Sequence, residues 1–202
     1  VSLFSGSGEL HGLYIGNPSG FATDRAMSLG VIGVALDTGT VTDQTVVIDT
    51  INLITPKVTL EISQNGNNFQ ALQRNVAANT ASDSQEDKPK EEKKVFIRDI
   101  WIKGTEVTVA VTELGGRSVT VSVPDLHLTN IGSEDAGVAA SQAVDQIMAA
   151  WGKQIAEAVT LDISVMDLLN EAGIDLGSAE DLLFEGAGQL SDLPGEALEE
   201  LP

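Results

Sequence analysis

His11 and His127 are the only histidines among 202 residues, which leaves little scope for proton transfer or metal chemistry at neutral pH. A zinc site would need both to converge with carboxylates, and neither stands in a short metal-binding spacing. Serine hydrolase chemistry would need a nucleophile elbow, and no Gly-x-Ser-x-Gly is present. Asp37, Asp43 and Asp49 could attract calcium together, but the Asp-x-Asp-x-Asp-Gly loop is missing and turn formation accounts for them. Gly6, Gly8 and Gly12 fit neither the dinucleotide fingerprint nor the P-loop, because no Lys follows and the next element reads as a strand. The chain has no cysteine, hence no disulfide framework and no thiolate ligand or nucleophile. These residues give no catalytic constellation, no metal site and no cofactor site, and the chain reads as non-enzymatic.

Charge narrows the partners. With 11 basic and 30 acidic residues the net charge is −19, a field that repels nucleic acid and anionic headgroups. Residues 1–160 carry a net −8 and all the basic side chains, whereas residues 161–202 carry −11 with none. The C-terminal part therefore reads as a separate acidic extension. No run of about 18 apolar residues exists, so no helical membrane span is expected within the sequence given. The chain opens on Val1 within strand-like sequence, and is read as a fragment or mature form whose N-terminal signal or anchor is missing.

The elements follow from a 17-residue stretch that occurs twice. Residues 46–62 align without a gap on residues 95–111, with Val46, Ile48, Ile51, Val58 and Thr59 repeated identically and most apolar positions in phase. Each copy reads as a strand, a turn at Pro56 or Gly104, and a second strand, a pattern typical of stacked equivalent β-units. Leu10 to Ile15 is a further strand, closed by Gly16-Asn17-Pro18-Ser19-Gly20. Ala26 to Leu36 is apolar on both alternating sets, as in a central strand covered on both faces. Gly115-Gly116 suits a hairpin into Ser118–Val123, with Val119, Val121 and Val123 inward, and Leu126, Leu128 and Ile131 end the sheet.

Helical spacing appears at Phe69, Leu72 and Val76, predicting a short helix from Asn68 to about Ala78. Thr80–Lys94 reads as a charged, solvated loop. Val144, Ile147, Met148, Trp151 and Ile155 define one long helix over about 138–159. Short acidic helices follow at Ser164–Ala172 and Ser178–Glu185. The fold class is α+β: a twisted, mostly antiparallel sheet built from two similar strand pairs, covered by the long helix. The domains are 1–160, β-rich, and 161–202, an acidic helical extension. Leu168, Leu169, Leu182, Leu183 and Phe184 in that extension are candidates for docking on a partner.

Several stretches together resemble the AsmA-like family of bacterial envelope proteins, in its smaller members. These are Gly12-Leu13-Tyr14-Ile15-Gly16-Asn17-Pro18-Ser19-Gly20-Phe21, the strand ending Leu36-Asp37, the Val-x-Ile-x-x-Ile unit seen twice, and Asn68-Phe69-x-x-Leu72. The late-embryogenesis-abundant (LEA)-like β-sandwich group is the fold-level alternative, since it shares Asn-Pro turns after a strand. The AsmA-like resemblance implies a protein tethered to the inner membrane by an N-terminal anchor, facing the periplasm of a Gram-negative-type bacterium, with β-layers that form a groove for acyl chains. On that reading Ile32, Val34, Ile100 and Ile102, on the second face of doubly apolar strands, line the groove. The ligand would be a lipid or another apolar partner. The rival expectation is a structural subunit that assembles with itself, or in a larger envelope complex, through sheet edges and the acidic helices.

Overall fold

Apolar side chains recur at every second residue through most of the chain, so the backbone is extended and each strand must find its hydrogen bonds on neighbours. In the computed structural model, which describes residues 6–63, 66–72, 74–75 and 93–174, ten strands join one sheet. They are β1 (Ser7–Gly16), β2 (Arg25–Leu36), β3 (Thr45–Ile54), β4 (Lys57–Ser63), β5 (Gly66–Asn67), β6 (Lys94–Lys103), β7 (Thr105–Val111), β8 (Arg117–Val123), β9 (Leu126–Ile131) and β10 (Val138–Ala139). Helices α1 (Ala140–Leu161) and α2 (Ile163–Glu171) follow, and the class is α+β. Residues 68–72 and 74–75 are helical, at the start of the predicted short helix. Most of the charged loop and the whole of Ser178–Glu185 lie outside the described residues.

β3 runs on into β4, β6 into β7 and β8 into β9, so the sheet amounts to five long strands beside one another. Pairing is antiparallel except at the central seam, where β3 lies parallel to β6 and β4 to β7. There the two similar stretches meet in register: Val46 is beside Val95, Val58 beside Val107 and Ile62 beside Val111. Charges match across the seam on both sides of its midpoint. Arg98 pairs with Asp49, and Lys57 Nζ is 2.9 Å from Glu106 Oε2. A one-residue slip would break both pairs and turn the apolar set to solvent.

The breaks in the long strands are aligned. Thr55 and Gly104 are equivalent positions of the two stretches, both with positive φ (50° and 66°). Gly12 and Gly30 fall opposite each other between the His11–Val31 and Leu13–Leu29 pairs, and Gly30 abuts Thr55. On the far side Asp125 Oδ1 accepts the Gly104 N–H at 2.9 Å. A row running Gly12, Gly30, Thr55, Gly104, Pro124 thus crosses all five strands as a corner. It inserts one residue into each, so the inward set changes phase there. Ile51 and Leu53 lie on the core side before the corner and Val58, Leu60 and Ile62 after it, while Ile100 and Ile102 give way to Val107, Val109 and Val111. A strand without that extra residue would aim half of its apolar side chains into water.

The same phase change corrects the expectation that Ala26–Leu36 is covered on both faces. The strand is central, but of its residues only Ala26 is fully buried. Its two apolar sets belong to one face, Met27 and Leu29 before Gly30 and Ile32, Val34 and Leu36 after it.

α1 and α2 cover the core face over β6 to β9. The buried line of α1 is Ala143, Trp151, Ile155, Ala156 and Val159, whereas Val144, placed by sequence on the inner stripe, is 57% exposed. Ala143, Gly152 and Ala156 share the buried line, and Val144, next to Ala143 in the helix, falls outside it. α2 begins one step earlier than the Ser164 signal suggested. Asp162 Oδ1 accepts from the Ser164 and Val165 amides, the N-cap chemistry a carboxylate supplies at a helix start. Val165, Leu168 and Leu169 then enter the same core as the sheet, so the first helix of the acidic extension is packed against the β-rich part.

The corner gives a stability test by denaturant unfolding. A Cβ at Gly30 would run into the Thr55 hydroxyl and lie 3.0 Å from the Ile54 carbonyl, so Gly30→Ala should cost about 2 kcal/mol. Gly104→Ala has room for the methyl but not the φ, and should cost about 1 kcal/mol. Equal stability of both variants and the parent would contradict the corner.

Candidate functional site

Residues directly opposite on neighbouring strands share a face, so the register converts strand positions into rows. One row on the inner face runs Leu10, Ile32, Leu53, Ile102, Leu126, and the next runs Gly8, Val34, Ile51, Ile100, Leu128. All four residues expected in a groove therefore lie on one continuous apolar face. Their surroundings differ. Ile100 and Ile102 are fully buried in the core beneath α1, closed to any ligand, which corrects their place in an open groove. Ile32 and Val34 are half-buried and open into a concavity of about 530 Å³ whose wall includes Leu10, Leu36 and Val41. The helix thus closes the β6–β9 end of the face, and no described residue lies over the β1–β2 end. Leu10 at that end is 53% exposed.

The opposite face of the same half-sheet is polar. It carries His11 with Glu9, 3.1 Å apart on β1, and His127 with Asp99, 2.8 Å apart on β6 and β9. The His127 ring stacks on Trp101 with centroids 3.8 Å apart, and Lys103 Nζ stands 4.3 Å from the Trp101 centroid. Between β1 and β9 stand β2, β3 and β6, so at about 4.8 Å per strand the two histidines are roughly 19 Å apart. They do not converge on a common atom. Asp37 caps a 3-10 turn by accepting the Gly39 N–H and Asp49 pairs with Arg98, so two of the three aspartates considered for calcium serve separate roles. Among the described residues no three His, Asp or Glu side chains are grouped to hold a metal ion.

Leu168 and Leu169, candidates for partner docking, are buried against this chain's own sheet and present no side chain to a partner. Leu182, Leu183 and Phe184 lie outside the described residues. Exposed apolar side chains occur instead at the α1–α2 joint, where Leu161 and Ile163 project, and along β1.

Sequence reasoning passed over Glu61, a carboxylate with no exposed surface. It accepts from the Ala22 N–H (2.7 Å), the Thr23 N–H (2.9 Å), the Thr23 hydroxyl (2.5 Å) and the Thr112 hydroxyl (2.7 Å). Its own N–H donates to Asn68 Oδ1, and Asn68 Nδ2 donates to Asn17 Oδ1. Asn17 in turn donates to Thr23. The Asn17–Asp24 turn and the helical residues from Asn68 are thereby tied to β4. Burial raises the Glu61 pKa, but the bonds from Thr23, Ala22 and Thr112 outweigh it, and the carboxyl is held below its ordinary value. In sequence nothing separated this acid from the other 29, because its partners are 38 to 51 residues away in the chain.

Comparison with protein-family models, curated proteins and solved structures finds no match to this chain.

The Glu61 network predicts a pH signature. A lowered folded pKa means that the unfolded chain takes up the proton first as pH falls. The stabilisation is thus complete above about pH 4.5 and is lost as pH drops through the folded value. Glu61→Gln should flatten this acid limb in unfolding measured from pH 3 to 7, and should cost about 3 kcal/mol at pH 7. An unchanged acid limb would contradict the network.

Proposed function

We propose that this is a non-enzymatic cell-envelope protein that binds an apolar chain, such as a lipid acyl chain, at the uncovered end of the sheet's inner face. The observation that carries the reading is the continuity of the apolar rows from the closed core to Leu10, Ile32 and Val34, where no element of the described chain lies over them. The concavity there falls within the about 300–1,000 Å³ of small-molecule sites. A wall of aliphatic side chains gives affinity by desolvation without fixing a headgroup. Two equivalent strand pairs meeting side by side support a fold built from repeated units. The resemblance to AsmA-like envelope proteins is the ground for a periplasmic location and an inner-membrane anchor preceding this chain.

A second reading is assembly through a sheet edge. It is favoured by β1, whose Leu10, Leu13, Tyr14 and Ile15 are all more than 40% exposed on the outermost strand.

A fluorescent fatty acid titrated into the purified protein should bind, and native mass spectrometry should find lipid bound to a fraction of the molecules. Val34→Asp, at a half-buried position, should weaken binding about tenfold or more while leaving the fold intact. Thr50→Asp, on the polar face, should leave binding unchanged. Absence of bound lipid together with absence of fatty acid binding would remove the first reading.

A further inference from the structure

The two long edges of the sheet are built differently. On the β8–β9 edge Pro124 lacks an N–H at the midpoint, Asn130 turns to positive φ (56°), and α1 lies over the inner face. Each of these obstructs pairing with another strand. Among the described residues β1 lacks the proline and the covering helix, and its ladder is with β2; Gly12 has positive φ (69°), and the side chains the strand exposes are Glu9 and His11 as well as Leu10, Leu13, Tyr14 and Ile15.

The stretch Gly8-Glu9-Leu10-His11-Gly12 reads the same chemically from either end, with an acid and a base flanking a leucine and a glycine outside each. Placed antiparallel to itself about Leu10, it brings Glu9 opposite His11 of the other strand, twice, on the polar face. Leu10 meets Leu10 on the apolar face. Gly8 and Gly12 fall opposite each other and put no side chain between the strands, and the positive φ of Gly12 marks where the pairing ends. The alternation fits too, because this register ends at the corner residue Gly12, and before it Glu9 and His11 share the polar face and Leu10 the apolar one. Glu9 and His11 already lie 3.1 Å apart within one strand, so each has its complement within reach of an adjacent copy.

We propose that β1 is a homodimerisation strand, pairing antiparallel with β1 of a second copy about Leu10. The inference rests on the edge-assembly reading and names its partner and register. A continuous sheet of ten long strands results, with an α1 helix closing each far end of the inner face. The two open concavities then meet at the dyad.

The chain's lack of cysteine makes one introduced thiol an unambiguous reporter. Opposed residues of an antiparallel pair stand about 4.5–5.5 Å apart between Cα atoms, within the about 4.4–6.8 Å that a disulfide spans. Leu10→Cys should therefore cross-link to a dimer under mild oxidation, and Tyr14→Cys, exposed on the same strand but out of register, should not. Light scattering of the unmodified protein should approach twice the 21.1 kDa chain mass as concentration rises. Glu9→His or His11→Glu alone should weaken the dimer about tenfold, and the two together should restore it. A monomer at all concentrations, or equal cross-linking at positions 10 and 14, would overturn the proposal. Cross-linking without fatty acid binding would leave the dimer standing and remove only the ligand reading.

Discussion

The aligned corner through Gly12, Gly30, Thr55, Gly104 and Pro124 is the constraint on which the rest depends. A strand shows its side chains to alternate faces, so five long strands can keep one apolar face through a bend only if all change phase at the same row. Positive φ at Thr55 and Gly104 makes the change at the seam, and the Gly30 approach to Thr55 passes it to the neighbouring strand. The consequence is a single inner face, continuous across the bend. One end of it is filled by α1 and α2, and the other is apolar with no described residue over it.

Polar interactions then fix what the apolar pattern leaves free. Asp49 with Arg98 and Lys57 with Glu106 bind equivalent positions of the two similar stretches, with the order of charges reversed between the pairs. Each stretch is thereby complementary to the other and not to itself. Exposed ion pairs contribute little to stability, and their weight here is in register. Glu61 works differently, as a buried acceptor for four donors, and it holds the β1–β2 turn to β4 and to the residue that follows β7. Protonation would put a hydrogen on one of its oxygens and take an acceptor site from those donors.

Much of the fold was legible in sequence because the signals were local. Strand positions came from alternation, the hairpin from Gly115-Gly116, and the long helix from its apolar spacing. The parallel seam was foreshadowed by the similarity of residues 46–62 and 95–111. What local pattern could not show was a phase change. Ile32 and Val34 against Met27 and Leu29 looked like two covered faces, whereas they are one face on either side of Gly30. For the same reason Ile100 and Ile102 were grouped with Ile32 and Val34. They do share a face, but the position of α1 decides which part of it is open, and helix placement is a tertiary property. The acids of the extension masked Asp162 as a cap and Leu168 and Leu169 as core, because composition there suggested a segment apart from the sheet.

On the proposed reading an apolar ligand meets the inner face only at the end that no described residue covers. Methyl-resolved NMR of the protein titrated with a deuterated fatty acid tests it most directly. Shifts are expected at Leu10, Ile32, Val34 and Leu36, with the methyl signals of Ile100 and Ile102 unmoved. Unchanged spectra at saturating fatty acid, or shifts led by the buried isoleucines, would contradict it.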